Sequence, residues 1–275
     1  MTDRTKEAGD WRLVTARHGQ KRKRSTEIQK GGKDMSLETI AECLTVGKTA
    51  VLTGAGMSTA SGLPDFRGKD GLWKNRDPRL LASISAMDNN RDEFVEFYRH
   101  RIRMLQGVEP NEGHRILAGW ERMGLLEGII TQNVDGLHQA GGSKNVHELH
   151  GSLKVVRCSS CRARHDSEVF LERADCPECG GMLRPGVVLF GEMLPVGPME
   201  AAGELSEKAS CFLVLGSSLE VSPANGYPMI AKRSGAKLFI INMTPTPLDH
   251  LADEVIHNDI VDALTNIDKY LNRES

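Results

Sequence analysis

The chain has 275 residues, enough for one large domain or two unequal ones. Its formal net charge of −2, apolar fraction of 39% and charged fraction of 26% are ordinary for a globular protein and give no sign of nucleic-acid binding. No apolar run approaches the roughly 18 residues that a membrane span needs, and the N-terminus lacks the apolar segment of a secretory signal. We therefore expect a cytoplasmic protein that binds neither a membrane nor nucleic acid.

Residues 1–35 are polar and rich in Lys and Arg, most densely over 20–24, and carry no periodic apolar pattern. This composition predicts a disordered basic extension, with an arm for nucleic acid or a protein partner as the alternative. Met35 opens a well-patterned segment and is an alternative start of the protein. Ser36 is predicted to be the N-cap of a helix over 36–44.

Short apolar runs alternate with helical patterns along the rest of the chain. Four runs predict buried strands: 49–53, 128–131, 212–215 and 237–241. Helical patterns follow at 66–125, most clearly at 92–105, and then at about 223–234 and 260–271. This alternation predicts an α/β fold with a doubly wound parallel sheet.

The run Gly-Ala-Gly-Met-Ser-Thr at 54–59 directly follows the first predicted strand. Glycines in such a loop allow a tight turn and a close approach of the backbone to a pyrophosphate. The third glycine of the usual dinucleotide-binding pattern is absent, since position 59 is Thr59. Taken alone, the loop leaves dinucleotide binding and a plain tight turn open.

Two Cys-x-x-Cys pairs, Cys158 with Cys161 and Cys176 with Cys179, are separated by 14 residues. Two such turns supply a closed shell of four thiolates, which predicts one structural Zn²⁺ per chain in a reducing compartment. A catalytic zinc would need a free coordination position. The other two cysteines lie in apolar surroundings and are expected to be inert core thiols.

Two polar segments are candidates for chemistry. Thr131-Gln132-Asn133-Val134-Asp135 follows a predicted strand, where ligands bind in open α/β sheets, although a polar turn explains it equally well. His150-Gly151-Ser152 stands just before the cysteine-rich region. A histidine there suits a general base because its unperturbed pKa is near 6.5, whereas most of the nine histidines are expected to be surface or packing residues.

Together these motifs resemble the sirtuin family in order and in spelling. The matching segments are 54–68, 131–138, 150–153, the two Cys-x-x-Cys pairs, 184–192 and 216–219, within a resemblance that covers about 36–272. The resemblance implies an NAD⁺-dependent protein-lysine deacylase. Its parts would be a Rossmann-like large domain (about 36–150 and 184–272), a zinc module (about 151–183) and a helical insertion (about 66–115), with a monomer as the expected state.

The resemblance also implies roles for single residues. His150 matches the general base and Asn133 a residue of the catalytic pocket. Matches to cofactor-binding positions are Ala55, Gly56, Thr59, Phe66, Arg67, Gln132, Asp135, Gly216, Ser217, Asn242, Asp259 and Ile260. The acyl-lysine protein would lie as an added β-strand between 188–192 and the segment after Gly216, in contact with Val188, Phe190 and Gly191.

The implied reaction begins when nicotinamide leaves the ribose and the acyl oxygen of the substrate lysine attacks that carbon. His150 then takes a proton from a ribose hydroxyl, which attacks the former amide carbon. Free lysine and O-acyl-ADP-ribose result. Phe66 is expected to exclude water, which would otherwise hydrolyse the sugar cation.

The acyl group is less firmly indicated. Tyr98 and Arg101 share a face of a predicted helix, and the family members that remove succinyl and malonyl groups carry a similar Tyr-x-x-Arg, with a small residue upstream where Ala82 stands. Gly186 and Leu189 depart from that subgroup. We expect a deacetylase. Desuccinylase or demalonylase activity is the alternative, and one enzyme having both activities is compatible with the sequence.

Three other classes are alternatives. A dehydrogenase would share the Rossmann-like sheet but has no use for the polar segment and the histidine together. An ADP-ribosyltransferase would share the first step and use a different acceptor. A zinc-ribbon nucleic-acid module would use the cysteines and the basic N-terminus, but the near-neutral charge argues against it.

Overall fold

The structure is a computed structural model and describes residues 30–66, 71 and 77–273. A six-stranded sheet has the order β3-β2-β1-β7-β8-β9, and every neighbouring pair is parallel. Its strands are β1 (Thr49–Thr53), β2 (Gly128–Thr131), β3 (Val146–Glu148), β7 (Cys211–Leu215), β8 (Lys237–Ile241) and β9 (Glu254–Ile256). The predicted doubly wound parallel sheet is confirmed.

The four predicted strands are the inner ones, and three of them are buried along their whole length. A parallel sheet covered on both faces needs continuous apolar strands, so these runs could be predicted from the sequence. The edge strands β3 and β9 escaped prediction because each has three residues and only partial burial. Along the chain, β1 leads to β2 and β3 on one side and then to β7 on the other, so the order reverses between β1 and β7.

Helices cover both faces of this sheet. The helices are α1 (Lys30–Val46), α2 (Ile84–Asn89), α3 (Arg91–Leu105), α4 (Glu112–Arg122), α5 (Leu137–Ala140), α6 (Glu168–Glu172), α7 (Val196–Lys208), α8 (Tyr227–Arg233) and α9 (Ile260–Leu271). Buried side chains of α1, α4 and α9 form one core, and residues of α7 and α8 contribute to the other. Within the described ranges, no helix is long and apolar enough to cross a membrane.

Helix α1 corrects one prediction. It begins at Lys30, so Ser36 lies inside it and is not an N-cap. The Ser36 hydroxyl instead donates a hydrogen bond of 2.8 Å to the carboxylate of Glu254 on β9. Of the predicted basic extension, residues 1–29 lie outside the described residues, whereas 30–35 are helical.

A second, antiparallel sheet of three strands carries the cysteines. Its order is β5-β4-β6, formed by β4 (Gly151–Cys158), β5 (Arg164–Asp166) and β6 (Leu183–Val187). Helices α3 and α6 pack against it around a core that includes Phe94 and Phe170. This core also contains Cys158 and Cys176, so packing against it holds one cysteine of each Cys-x-x-Cys turn in place.

The four cysteine sulfur atoms lie within 4.8 Å of one another. Cys158 and Cys179 are 3.5 Å apart, and Cys161 and Cys176 are 3.7 Å apart. A tetrahedral zinc with Zn–S bonds of about 2.3 Å places its sulfur atoms roughly 3.8 Å apart. The backbone N–H of Gly181 also points at the sulfur of Cys179, as suits a thiolate. The four residues therefore fit the predicted structural zinc site.

Replacing Cys176 with serine is expected to abolish zinc binding, because the remaining three thiolates no longer close the shell. We expect the zinc content to fall from about one ion per chain to nearly none, and a loss of about 2 kcal/mol would lower the melting temperature by about 4–8 °C. Metal analysis and thermal denaturation measure both. The control is Cys43→Ala, which removes a core thiol and should keep the zinc; a zinc-loaded Cys176→Ser protein would contradict the site.

Candidate active site

The crevice lies where the strand order reverses, at the carboxyl ends of β1 and β7. The N–H of Gly54 donates to the carbonyl of Leu215 over 3.0 Å, and that of Gly56 donates to Gly216 over 2.9 Å. A Cβ atom at Gly54 would stand 2.7 Å from the Gly216 oxygen, and one at Gly56 would stand 2.8 Å from the Gly216 Cα. Only glycine permits this approach, which leaves backbone, without side chains, where a pyrophosphate would lie.

A cleft of about 450 Å³, part of it open to solvent, adjoins this crevice. The predicted residues Ala55, Phe66, Asn133 and Asp135 all line it. The remaining wall is largely apolar, which suits a site that excludes water. Arg67 lies outside the described residues. The other lining residues are Ser58, Leu63, Pro64, Arg101, Met104, Leu105, Val134 and Leu153.

A buried hydrogen-bond network fixes the polar floor of the cleft. The Asn133 amide donates to the carbonyl of Gly54 over 3.0 Å and to the Ser58 hydroxyl over 3.2 Å. Ser58 in turn donates to the Asp135 carboxylate over 2.7 Å, and the second oxygen of Asp135 accepts from the N–H of Leu137 over 2.9 Å. The loop after β1 and the end of β2 are thereby held together.

Sequence analysis did not single out Ser58. It lies in the glycine-rich loop between Met57 and Thr59, and no local pattern marked it. Its exposed fraction is 1%, so its hydroxyl serves this network and not the solvent.

Gln132 connects the ends of β2 and β7. Its side-chain N–H₂ group donates to the Ser217 hydroxyl over 2.8 Å, and its backbone N–H donates to Thr53 over 3.0 Å. Its own carbonyl oxygen lies 3.0 Å from Nδ1 of His150. Gln132, itself a predicted cofactor position, therefore joins a second one, Ser217, to the predicted base His150.

The contact with Gln132 defines the tautomer of His150. A carbonyl oxygen can only accept a hydrogen bond, so Nδ1 carries the proton and Nε2 carries the lone pair of the neutral ring. Burial lowers the pKa of His150 below its ordinary value of 6.5, against a weaker opposite effect of the Gln132 carbonyl. The neutral ring is therefore the prevailing form at pH 7, as a general base requires.

The predicted positions on the adenosine side lie at the ends of β7 and β8 and at the start of α9. Asn242 is buried, and its side chain donates to the carbonyl of Thr244 over 2.7 Å. Ile260 packs directly over Gly216. Asp259 is the N-cap of α9, with one carboxylate oxygen accepting from two backbone N–H groups, so that oxygen is already engaged.

Thr59, a predicted cofactor position in the loop after β1, is exposed. Its hydroxyl donates to the carbonyl of Gly56 over 2.9 Å.

Tyr98 and Arg101 are in different environments although both lie on α3. Tyr98 is 1% exposed and packs against the rings of Phe94 and Phe97, and burial raises its pKa to about 12. It does not line the cleft, whereas Arg101 does. The Arg101 guanidinium lies 5.1 Å from the ring centre of Phe66. Arg101 therefore brings a cation to the wall, and Tyr98 belongs to the core.

The segment expected to receive the substrate follows β6. The N–H of Val188 donates to the carbonyl of His150 over 2.9 Å, and that of Phe190 donates to Ala82 over 2.9 Å. The N–H of Leu189 donates to the carboxylate of Glu192 over 2.8 Å. Phe190 is 39% exposed, and Gly191 is exposed with a φ of 96°. Backbone bonds thus hold Val188 and Phe190 beside the predicted base, and the chain turns directly after, where the N–H of Glu192 donates to the carbonyl of Leu189 over 2.9 Å.

Comparison with known proteins supports a family assignment. A model of the Sir2 family matches residues 54–223. NAD-dependent protein deacetylase 1 of Geobacillus kaustophilus (strain HTA426) is 58% identical over 210 residues, covering 76% of this chain and 87% of that protein. The structure of a Sir2 homologue in complex with NAD aligns with a TM-score of 0.81 at 38% identity, covering 86% of this chain and 94% of that one.

A Sir2 structure with a deacetylated p53 peptide and 3′-O-acetyl-ADP-ribose also aligns with a TM-score of 0.81 at 38% identity, covering 85% of this chain and 97% of that one. The family model covers more than half of the chain, and the bacterial deacetylase matches over most of its own length. The chain belongs to the Sir2 family, as its motifs predicted.

Proposed function

We propose that the protein is an NAD⁺-dependent protein-lysine deacetylase that transfers the acetyl group of lysine to ADP-ribose and releases nicotinamide. The observation that carries the proposal is the double attachment of His150. Its ring is bonded to Gln132 at the cofactor crevice, and its carbonyl accepts from Val188 of the segment expected to receive the peptide. With these two contacts, His150 lies between the proposed binding sites of NAD⁺ and of the acetyl-lysine peptide.

When bound, NAD⁺ supplies the ADP-ribose that accepts the acetyl group. Gly54, Gly56 and Gly216 provide the backbone surface for its pyrophosphate. Asn133 and Asp135 present polar atoms to the ribose and the carboxamide from a network that is already hydrogen-bonded. Such a floor needs little reorganisation during the reaction.

His150 acts as the general base. Its Nε2 lone pair accepts a proton from a ribose hydroxyl, while Nδ1–H stays bonded to the Gln132 carbonyl and holds the ring in place. The developing imidazolium is stabilised by that same carbonyl. Phe66, on the wall of the cleft, excludes water from the reacting carbon.

The acetylated protein is proposed to bind as an added β-strand beside 188–192. The backbone N–H groups of Val188, Leu189 and Phe190 already donate within the chain. The carbonyl groups of Leu189 and Phe190 also accept within the chain, so an incoming peptide is proposed to bond to the backbone of Val188 and Gly191. Recognition through the backbone favours broad tolerance of substrate sequence.

An acidic acyl group is a second candidate substrate, favoured by the position of Arg101. Its guanidinium lines the cleft and is ringed by aromatic and apolar side chains. A carboxylate at the end of a succinyl or malonyl chain would pair with it. The burial of Tyr98 removes half of the motif that suggested this activity, so acetyl-lysine remains the primary substrate.

A cytoplasmic location and a monomeric state complete the proposal. The location rests on the four cysteines, because zinc-binding thiolates are typical of a reducing compartment. Light scattering on the full chain measures the oligomeric state.

The variant His150→Ala is expected to lower kcat for deacetylation by about 10²- to 10⁴-fold, as removal of a general base does. Zinc content and melting temperature should remain close to those of the parent protein. Mass spectrometry of an acetyl-lysine peptide, with and without NAD⁺, follows the release of free lysine. The control is His250→Ala at an exposed histidine; equal activity of both variants would remove His150 from the role of base.

The pH profile tests the same residue independently. Because burial lowers the pKa of His150, the base is neutral above that pKa and becomes protonated, and inactive, only as the pH falls below it. We expect kcat/KM to be level at neutral pH and to fall on the acid side with a midpoint below 6.5. A midpoint above 7 would show that another group controls the reaction.

Replacing Arg101 with methionine should spare deacetylation and lower desuccinylation by about 10- to 100-fold, because a charged hydrogen bond contributes about 1.5–3 kcal/mol. The two peptides are compared side by side at equal enzyme concentration. The matched control is Arg103→Met, two residues along the same helix and half exposed. Equal losses of activity on both peptides would show that Arg101 supports the fold.

Transfer of label from NAD⁺ to protein would indicate ADP-ribosyltransferase activity instead.

A further inference from the structure

Two fully buried histidines lie beneath the cleft and have no role in the proposed reaction. His114 is 0% exposed and His138 is 1% exposed. Their ring centres are 4.8 Å apart in an edge-to-face arrangement, with 62° between the planes. Burial lowers the pKa of His114 to about 4 and that of His138 well below its ordinary value, so both rings are neutral. A neutral ring has one donor nitrogen and one acceptor nitrogen.

The bonds of His114 show which of its nitrogens is the donor. Its Nδ1 accepts from the backbone N–H of Asn111 over 3.3 Å, as part of the capping box of α4. Nε2 therefore carries the proton, and among the described residues it has no hydrogen-bond partner. The Asn111 side chain also donates to the carbonyl of Met57 over 2.9 Å and to Ser61 over 3.1 Å. Through Asn111, His114 is thus tied to the loop after β1, which is proposed to bind the cofactor.

His138 has the opposite arrangement. Its Nε2 lies 2.9 Å from the Thr53 hydroxyl, and Thr53 donates its single proton to Thr131 over 2.8 Å. Nε2 of His138 must then be the donor, which leaves a lone pair on Nδ1. In the described part of the chain that Nδ1 has no partner. The Thr131 hydroxyl also accepts from the backbone N–H of Asn133 over 3.0 Å.

The two buried nitrogens without partners are therefore complementary, a donor on one ring and an acceptor on its neighbour. We propose that one buried water accepts from Nε2–H of His114 and donates to Nδ1 of His138, and that the pair are positioning residues for the cofactor pocket. This link satisfies both atoms, which would otherwise be costly to bury.

The link closes a loop of hydrogen bonds under the site. From the Met57 carbonyl the path runs through Asn111, His114, His138, Thr53 and Thr131 to the backbone of Asn133. Above it, the Asn133 side chain reaches back to the same loop through Gly54 and Ser58. The pocket floor is held from above and from below, so loss of the lower path should allow Asn133 to move relative to the cofactor loop.

The inference rests on the proposed function for its kinetic readout and on cofactor binding for an independent one. Three variants of the full, zinc-loaded chain separate the possibilities. His138→Phe keeps a ring and removes both nitrogens, whereas His138→Gln keeps a donor near the position of Nε2. His114→Asn keeps an acceptor for the capping box and removes Nε2–H. His250→Gln, at an exposed histidine, is the matched control.

We expect His138→Phe to lower kcat/KM for NAD⁺ by about 10- to 100-fold, the size of effect that misplacement of a pocket group produces. The KM for the acetyl-lysine peptide should change little. His138→Gln, which keeps the bond to Thr53 and lacks the Nδ1 acceptor, should recover only part of the loss, and His114→Asn should show a loss of the same kind. Calorimetric titration of NAD⁺ into the protein without peptide should show a matching loss of affinity.

Unchanged kcat/KM for NAD⁺ in His138→Phe would overturn the proposal, as would equal rises in both KM values without recovery in His138→Gln. If His138→Phe does not fold, His114→Asn decides, because its cap is retained; NAD⁺ affinity equal to that of the parent protein would then reject the link. If the parent protein binds NAD⁺ but does not deacetylate, the proposed function fails, and the titrations still test the histidine pair.

Discussion

The close approach of two backbone loops between β1 and β7 is the constraint on which the site depends. Gly54 and Gly56 lie against Gly216 at distances that a Cβ atom would reduce to under 3 Å. Because no side chain fits there, the loop after β1 packs directly on the end of β7, and the crevice keeps a bare backbone floor. A parallel sheet places its strand ends at one edge, so the polar ends of β1, β2 and β7 converge on this floor.

The polar groups at that edge form one connected system. Ser58 joins Asn133 to Asp135, and Gln132 joins the end of β2 both to Ser217 and to His150. The proposed base is therefore held by the same strand end that contributes to the proposed cofactor pocket. Such coupling favours a reaction in which the two substrates must be aligned before proton transfer, since a displaced floor would displace the base.

Helix α3 illustrates why a shared helical face is an incomplete guide to function. Residues at i and i+3 are neighbours, so Tyr98 and Arg101 were expected to act together. In the fold, Tyr98 is covered by Phe94 and Phe97, whereas Arg101 extends beyond that cover to the cleft. The proposed selection of an acidic acyl group therefore has one cation and its aromatic neighbours to support it, which is a weaker selector than a paired Tyr and Arg.

Local sequence patterns were sufficient to predict the inner strands, the four-cysteine set and the family. Each of these is local: a buried parallel strand needs a continuous apolar run, and a zinc turn needs two cysteines three positions apart. Contacts between side chains that are far apart in the chain could be identified only in the folded structure. Ser58 and Asp135 are 77 positions apart and Thr53 and His138 are 85 apart, and no local pattern encodes such contacts, because they arise only when the strand ends are brought to one edge.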